Sequence, residues 1–358
     1  MSAFLIRRIV LAIPVLFGIL LVTFTLNRLI PGDPCRAVLG ERATDQVCDA
    51  YLARYGLNEP VPVQFMYYVR NIAQGDLGTS LRFSRSVTEL LAERLPVTME
   101  LAASALIIAV IAGIPMGVIS AYRRNSSIDV GTMIFANVGV SMPVFWLGLM
   151  LAFLFGVILK DTPLALPPSG RLTAGSSPEP FYLVWGLVSE AGEASTFMRF
   201  IAGFNVLNAI LTLNTQLLID AMRHLILPAV AVGTIPLAII ARMTRSSLLD
   251  ALGQDYTRTA RAKGLREVTV VIGHAVRNSL LPVVTIIGLS FGGLVSGAVL
   301  TETIFGFTGI GRTLFDGITA RDYTLVQGVT LVTAVAFVVI NLIVDVLYGY
   351  LDPRIRLS

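Results

Sequence analysis

The chain has 358 residues, 55% of them hydrophobic and only 14% charged, with a formal net charge of +4 and a mean hydropathy of +0.77. A soluble domain carries about a quarter charged residues, so this composition excludes an ordinary soluble fold. The basic residues lack aromatic interleaving and cluster beside apolar runs, which excludes nucleic acid as the partner behind the basic pI.

Runs free of Asp, Glu, Lys and Arg occur at Ile9–Asn27, Leu101–Tyr122, Val130–Leu159, Leu225–Ala241, Asn278–Thr301 and Tyr323–Val344. At about 1.5 Å per residue each can cross about 30 Å of hydrocarbon, the fourth only just. Lipid leaves unpaired backbone groups unsatisfied, and the alternation of a barrel strand is absent, so the runs are helices. The sequence therefore predicts an all-α membrane protein with six transmembrane helices.

The first run follows Arg7 and Arg8 and ends in Arg28-Leu29-Ile30-Pro31-Gly32-Asp33-Pro34. It is too long for a signal core and lacks a small-x-small cleavage site, so it reads as a retained span. The stretch Phe200–Ile219 is also uncharged but carries Asn205, Asn208, Asn214 and Gln216. Those amides are costly at mid-bilayer, and the stretch is expected to be an interfacial or extracytoplasmic helix.

Six spans with both termini cytoplasmic place residues 1–8, 123–129, 242–277 and 345–358 inside. These pieces hold thirteen bases against five acids, leaving aside Asp345 at the span edge, and the outer pieces hold fourteen bases against seventeen acids. That asymmetry follows the positive-inside rule. Two units are expected: 1–99, the first helix plus an extracytoplasmic helical segment, and 100–358, a five-helix core with a cytoplasmic loop 242–280 and an extracytoplasmic loop 160–224. In the outer segment, Arg54-Tyr55-Gly56 looks like a helix stop, and Ser86-Val87-Thr88-Glu89 fits a capping box ahead of Leu90, Leu91 and Leu95. Residues 160–224 read as irregular, with Pro and Gly concentrated near Pro163–Pro180. Cys35 and Cys48 share the first outer segment and form either a disulfide or two unpaired thiols.

Catalytic patterns are sparse. The two histidines, His224 and His274, belong to no H-E-x-x-H or Cys/His metal pattern, and His274 is expected to be a packed or interfacial structural residue. Neither Lys160 nor Lys263 follows a glycine, so the chain has no phosphate loop and is not expected to be an enzyme or to bind ATP itself. Asp345 is either a proton site or, more ordinarily, an interfacial carboxylate paired with an inner-loop arginine. The break Gly139-Val140-Ser141-Met142-Pro143 either lines a pore or lets helices approach closely.

Within 242–280, the segment Asp255-Tyr256-Thr257-Arg258-Thr259-Ala260-Arg261-Ala262-Lys263-Gly264-Leu265 predicts a two-turn helix outside the membrane. Asp255 is the expected N-cap and Gly264 the stop, with Arg261 and Lys263 in the last turn. Small residues at Thr259, Ala260 and Ala262 suit the close approach of another protein; the bland alternative is a solvated basic turn.

This string, with His274-Ala275-x-Arg277-Asn278 and Leu281-Pro282-Val283-Val284, resembles the cytoplasmic loop of permease subunits of ATP-binding-cassette importers. The similarity is to the dipeptide/oligopeptide branch, and within it to the first permease subunit. Arg258 and Thr259 replace the Glu and first Ala of the general Glu-Ala-Ala-x3-Gly consensus, and Leu281-Pro282 comes later than usual. Further patches carry the same likeness: Ile30–Pro34, Gly75-Asp76-Leu77-Gly78, Ser141-Met142-Pro143-x-Phe145-Trp146, Arg242-Met243-Thr244-Arg245-Ser246-Ser247, Leu300-Thr301-Glu302-Thr303-Ile304-Phe305 and Asp352-Pro353-Arg354.

The resemblance implies a type I importer permease fold in the bacterial inner membrane. It implies a second homologous permease, two cytoplasmic ATPases holding ATP and Mg, a periplasmic substrate-binding protein, and no cofactor on this chain. It assigns ATPase coupling to Asp255, Tyr256, Arg258, Thr259, Ala260, Arg261, Lys263, Gly264 and Leu265. Two rivals remain: an ion-coupled secondary transporter acting alone through Asp345 or Glu302, and a non-transporting assembly factor.

Overall fold

A computed structural model describes residues 2–29, 35–36, 40, 42–54, 56–190, 192 and 194–351. The patches Ile30–Pro34 and Asp352-Pro353-Arg354, and Tyr55 of the expected helix stop, lie outside the described residues. In chain order, α1 is Ser2–Leu29, α2 Asp45–Arg54 and α3 Val61–Ala73. A two-stranded antiparallel hairpin, Thr79–Ser80 with Arg85–Ser86, leads into α4, Val87–Tyr122. Next come α5, Ser127–Ser141, and α6, Val144–Phe153, which continues as a π turn to Ile158. Short helices α7, Phe181–Val184, α8, Thr196–Ala202, and α9, Asn205–Leu211, precede α10, Thr215–Leu252. After α11, Asp255–Ala262, a π-helix Thr269–Val276 runs into α12, Arg277–Val295. Helices α13, Val299–Ile304, α14, Ile310–Thr319, and α15, Tyr323–Leu351, complete the chain.

Five of these helices are long and apolar enough to cross a membrane, and α5 with α6 form a sixth candidate bent by 99°. The span expected over Val130–Leu159 is therefore bent at the break Gly139–Pro143. Pro143 has no amide proton and pushes the preceding residue out of the helical region; Met142 is extended, with φ −96° and ψ 136°. The second and fourth spans are longer than the uncharged runs, 36 and 38 residues, because α4 continues into the charged outer segment and α10 into charged segments at both of its ends. Helix α4 thus runs through the expected unit boundary at 99/100 without a break.

The capping box is half realised. Ser86 stands at the N-cap of α4, but its side chain makes no cap bond. Instead Arg85 pairs with Glu93 at 2.6 Å, and Leu90 and Leu91 pack with Val87, Ile310, Leu325 and Val329. The stretch Phe200–Ile219 is not one helix but α8, α9 and the start of α10. Its amides find local partners: Asn208 accepts from the Phe181 amide at 2.8 Å and donates to the Glu179 carbonyl at 3.0 Å, and Asn214 caps α10 through the Leu217 amide at 3.0 Å. Satisfied in this way, the asparagines favour a folded loop over a span.

The seam of the bundle is α4 against α10. Ala105, Ala109, Gly113, Gly117 and Ala121 recur every four residues on one buried face of α4. A Cβ on Gly117 would lie 2.6 Å from the Ala241 carbonyl oxygen, and one on Gly233 2.8 Å from that of Ala105. Small side chains let two membrane helices meet backbone to backbone, where dispersion replaces the missing hydrophobic drive. Because Ala105 meets Gly233 while Gly117 meets Ala241 and Thr244, the two helices run parallel.

Helix α12 packs on α15 through Gly288 against Val344 and Gly292 against Phe337. Arg8 of α1 pairs with Asp345 of α15 at 3.0 Å, the interfacial pairing expected for that carboxylate. These contacts gather the start of α1, residues 123–126, 253–276 and the end of α15 at one end of the bundle. At the other end three buried carboxylates organise the loops. Glu100 accepts from Arg171 at 2.8 Å and the Val206 amide at 2.7 Å. Asp322 accepts from Ser80, Leu81, Arg82 and Leu325 at 2.6–3.0 Å. Glu302 is treated below. A disulfide joins Cys35 to Cys48, with Cα atoms 5.4 Å apart.

Candidate functional site

Helix α11 protrudes from the basic end of the bundle. It starts one residue earlier than expected of its cap: Gln254 holds the N-cap position and Asp255 is the first helical residue, making no cap bond. Asp255 sits instead where its charge favours the N-terminal dipole, 3.3 Å from Arg258 in an exposed pair. The stop is as expected. Gly264 has φ +77°, its amide donates to the Arg261 carbonyl at 2.9 Å, and the Leu265 amide reaches back to the Ala260 carbonyl at 3.3 Å. That paired pattern closes the helix, and a left-handed φ is open to glycine at little cost.

Two side chains seat the helix. Thr257 is fully buried and donates to the carbonyls of Leu252 and Gln254. Ala260 is 7% exposed. Ala260 therefore faces its own chain, which corrects the expectation that it offers close approach to another protein. The outward face is Tyr256, Arg258, Thr259, Arg261, Ala262, Lys263 and Leu265. Arg261 crosses to Glu267 through a two-point contact at 2.7 and 3.1 Å. This fork lowers the Glu267 carboxyl from its ordinary range and raises the guanidinium. With both side chains over a third exposed, the pair adds shape more than stability.

Behind α11, the π-helix supplies Val271 and Ala275 to a cluster with Ala121 of α4 and Leu248 and Ala251 of α10. Leu252 and Val276 pack against the same cluster. The short helix is thus tied to the ends of both seam helices. His274, on this π-helix, is exposed rather than packed; the inward side is taken by Val270, Val271 and Ala275.

One pair at this end escaped the sequence reading. Asp129, in the first turn of α5, accepts from Nε and Nη2 of Arg245 on α10, both at 2.8 Å. It also accepts from the Ser120 hydroxyl and, at 3.0 Å, from the Asn125 amide. One 4%-exposed carboxylate therefore locks α4, the 123–126 turn, α5 and α10 together. The available signal was a lone acid opening a span, but its partner lies 116 residues later in the chain.

Neither carboxylate required by an ion-coupled mechanism is free. Asp345 is held by Arg8. Glu302 accepts from Thr98 at 2.7 Å and from the Arg312 amide at 2.8 Å, so it caps the N-terminus of α14. Burial is the main influence on its carboxyl and raises its pKa. Among the described residues no group of three His, Cys, Asp or Glu could hold a metal.

Known proteins are similar to this chain in sequence over nearly its whole length. The family model for the inner membrane component of binding-protein-dependent transport systems matches residues 113–357, and the model for the N-terminal part of such membrane components matches residues 1–102. The di/tripeptide transport system permease protein DppB of Pseudomonas aeruginosa is 45% identical over 357 residues, covering 99% of both chains. The dipeptide transport system permease protein DppB of Escherichia coli is 43% identical over 363 residues, again covering 99% of both. The oligopeptide transport system permease protein AppB of Bacillus subtilis is 37% identical over 99% of this chain and 100% of its own.

Proposed function

Because the chain belongs to the family of inner membrane components of binding-protein-dependent transport systems, a multi-pass group, we propose that it is the first of two permease subunits of an ATP-driven importer of di- and oligopeptides. Its partners are a second homologous permease, two cytoplasmic ATPases that hold ATP and Mg, and a periplasmic binding protein that delivers substrate. Both termini and residues 253–276 face the cytoplasm, in keeping with the concentration of bases at that end. Six crossings are supported by the parallel run of α4 and α10. Two helices pointing the same way need one further crossing between them, and α5 with α6 is the available segment.

The observation that carries the reading is the seating of α11. Thr257 and Ala260 face inward, and the cluster behind them includes Ala121, Leu248 and Ala251. A push on the outward face, Tyr256, Arg258, Thr259, Lys263 and Leu265, therefore reaches the ends of both seam helices. Nucleotide-driven closure of the ATPases delivers that push, and the bundle switches access to a central pathway.

The test is peptide uptake and peptide-stimulated ATP hydrolysis by the reconstituted importer carrying Ala260→Trp or Gly264→Val. Trp cannot fit the buried side, and Val resists a left-handed φ by about 1–2 kcal/mol. We expect uptake to fall by about tenfold or more while the permease still inserts and assembles. Unchanged uptake and unchanged stimulation in both variants would defeat the proposal.

A further inference from the structure

Helix α3 is a 13-residue segment without an acidic residue, VPVQFMYYVRNIA. At 100° per residue its side chains sort into three strips. Phe65, Tyr68 and Ile72 share one strip, and this strip lies on α1. Phe65 meets Phe17 and Phe24 edge-on, with ring centroids 5.7 and 5.2 Å apart, and Tyr68 stacks on Phe24 at 5.9 Å. Pro62, Met66 and Ala73 form a second apolar strip beside the first, all three exposed. Gln64, Tyr67, Arg70 and Asn71 share the remaining arc with Val63.

The depth of the contact shows what covers the second strip. The apolar window of α1 runs Ile6–Thr25. Phe17 stands eight residues inside the Thr25 end, about 12 Å at the rise of a helix. A side chain on α3 that touches Phe17 and Phe24 together therefore sits within the hydrocarbon depth rather than above it. Helix α1 is itself open on that level: Val15, Phe17, Leu21 and Val22 are exposed.

We propose that α3 is an in-plane membrane helix that lies in the leaflet opposite the 253–276 loop. Pro62, Met66 and Ala73 contact acyl chains, while Tyr67, Arg70 and Asn71 reach the headgroups. The absence of acids and the presence of Arg70 suit phosphate headgroups. Aromatic Tyr67 at the edge suits the interface belt. The segment after α1 is then not a water-borne cap: it braces the first span from inside the lipid. Naming the leaflet as periplasmic rests on the orientation proposed above; embedding in lipid does not.

The assembled importer in phospholipid nanodiscs tests this with single nitroxide labels at Met66→Cys, Ala73→Cys and Asn71→Cys, with Ile13→Cys on α1 as the lipid reference. Oxygen concentrates in acyl chains and a nickel chelate stays in water. Labels at positions 66 and 73 should collide with oxygen several-fold more often than with nickel, matching position 13, and position 71 should show the reverse. Two results would overturn the proposal. One is nickel access at 66 and 73 equal to that at 71, which makes α3 a solvated cap. The other is shielding from both probes that disappears when the second permease is omitted, which makes the strip a protein interface. Having two positions on the strip keeps the test open if one substitution impairs folding.

Discussion

Replacing Asp129 with Asn should weaken the bundle more than any surface change, and its loss should add less than fully to that of changing Arg245. The wild-type carboxylate accepts two charge-assisted bonds from Arg245, each contributing about 1.5–3 kcal/mol. Asn presents an amide donor to the same guanidinium and leaves it unpaired. Arg245 keeps 29% of its side-chain exposure, so water recovers part of the deficit. A loss of about 3 kcal/mol follows, at the lower edge of what breaking a buried pair costs. Scaled from domains of similar size, that lowers the midpoint of thermal unfolding by roughly 5–10 °C. The measurement is a double-mutant cycle on purified permease: Asp129→Asn, Arg245→Gln and both together, melted in the same detergent. The two single losses should exceed the double loss by about 2 kcal/mol. If the losses simply add to within about 0.5 kcal/mol, the pair is not coupled and the locking role assigned to it is wrong.

Two further outcomes follow from the far end of the bundle. Burial raises the Glu302 carboxyl pKa in the folded state, so the folded protein binds that proton more tightly than the unfolded chain. Its stabilising contribution is complete below the unfolded value and is lost as pH rises through the folded one. Glu302→Gln should flatten this part of the stability–pH curve, and an identical slope in wild type and variant would contradict the assignment. The chain has two cysteines, joined across a sequence separation of 13, a loop whose closure is worth about 3 kcal/mol. Denatured protein should yield no thiol before reduction and two after; two reactive thiols without reductant would refute the bond.

Much of the molecule was legible in the residue order because lipid makes a strict demand. Every backbone group must be paired inside its own segment, so an uncharged run of about twenty residues is read as a helix with little competition. That logic located Ile9–Asn27 and Tyr323–Val344 within α1 and α15. It also marked α11, where Gly264 closes the helix through local bonds that depend only on adjacent residues. Absence of charge, however, reports where lipid must be, not where a helix ends. Helix α4 runs on past its uncharged core where Glu100 finds Arg171 and the Val206 amide in the outer loop, partners distant in sequence, while α10 starts at a local Asn214 cap.

What only the tertiary structure decided is which side of each element meets what. From the sequence, Ala260 and Thr259 looked alike as small residues open to a partner. Folding turned Ala260 inward and left Thr259 outside, because α11 rests on the π-helix and the end of α10. The parallel small-residue seam and the Asp129–Arg245 lock share that origin. Each depends on groups brought together from separate spans, and hydropathy along a single strip of chain carries no record of them.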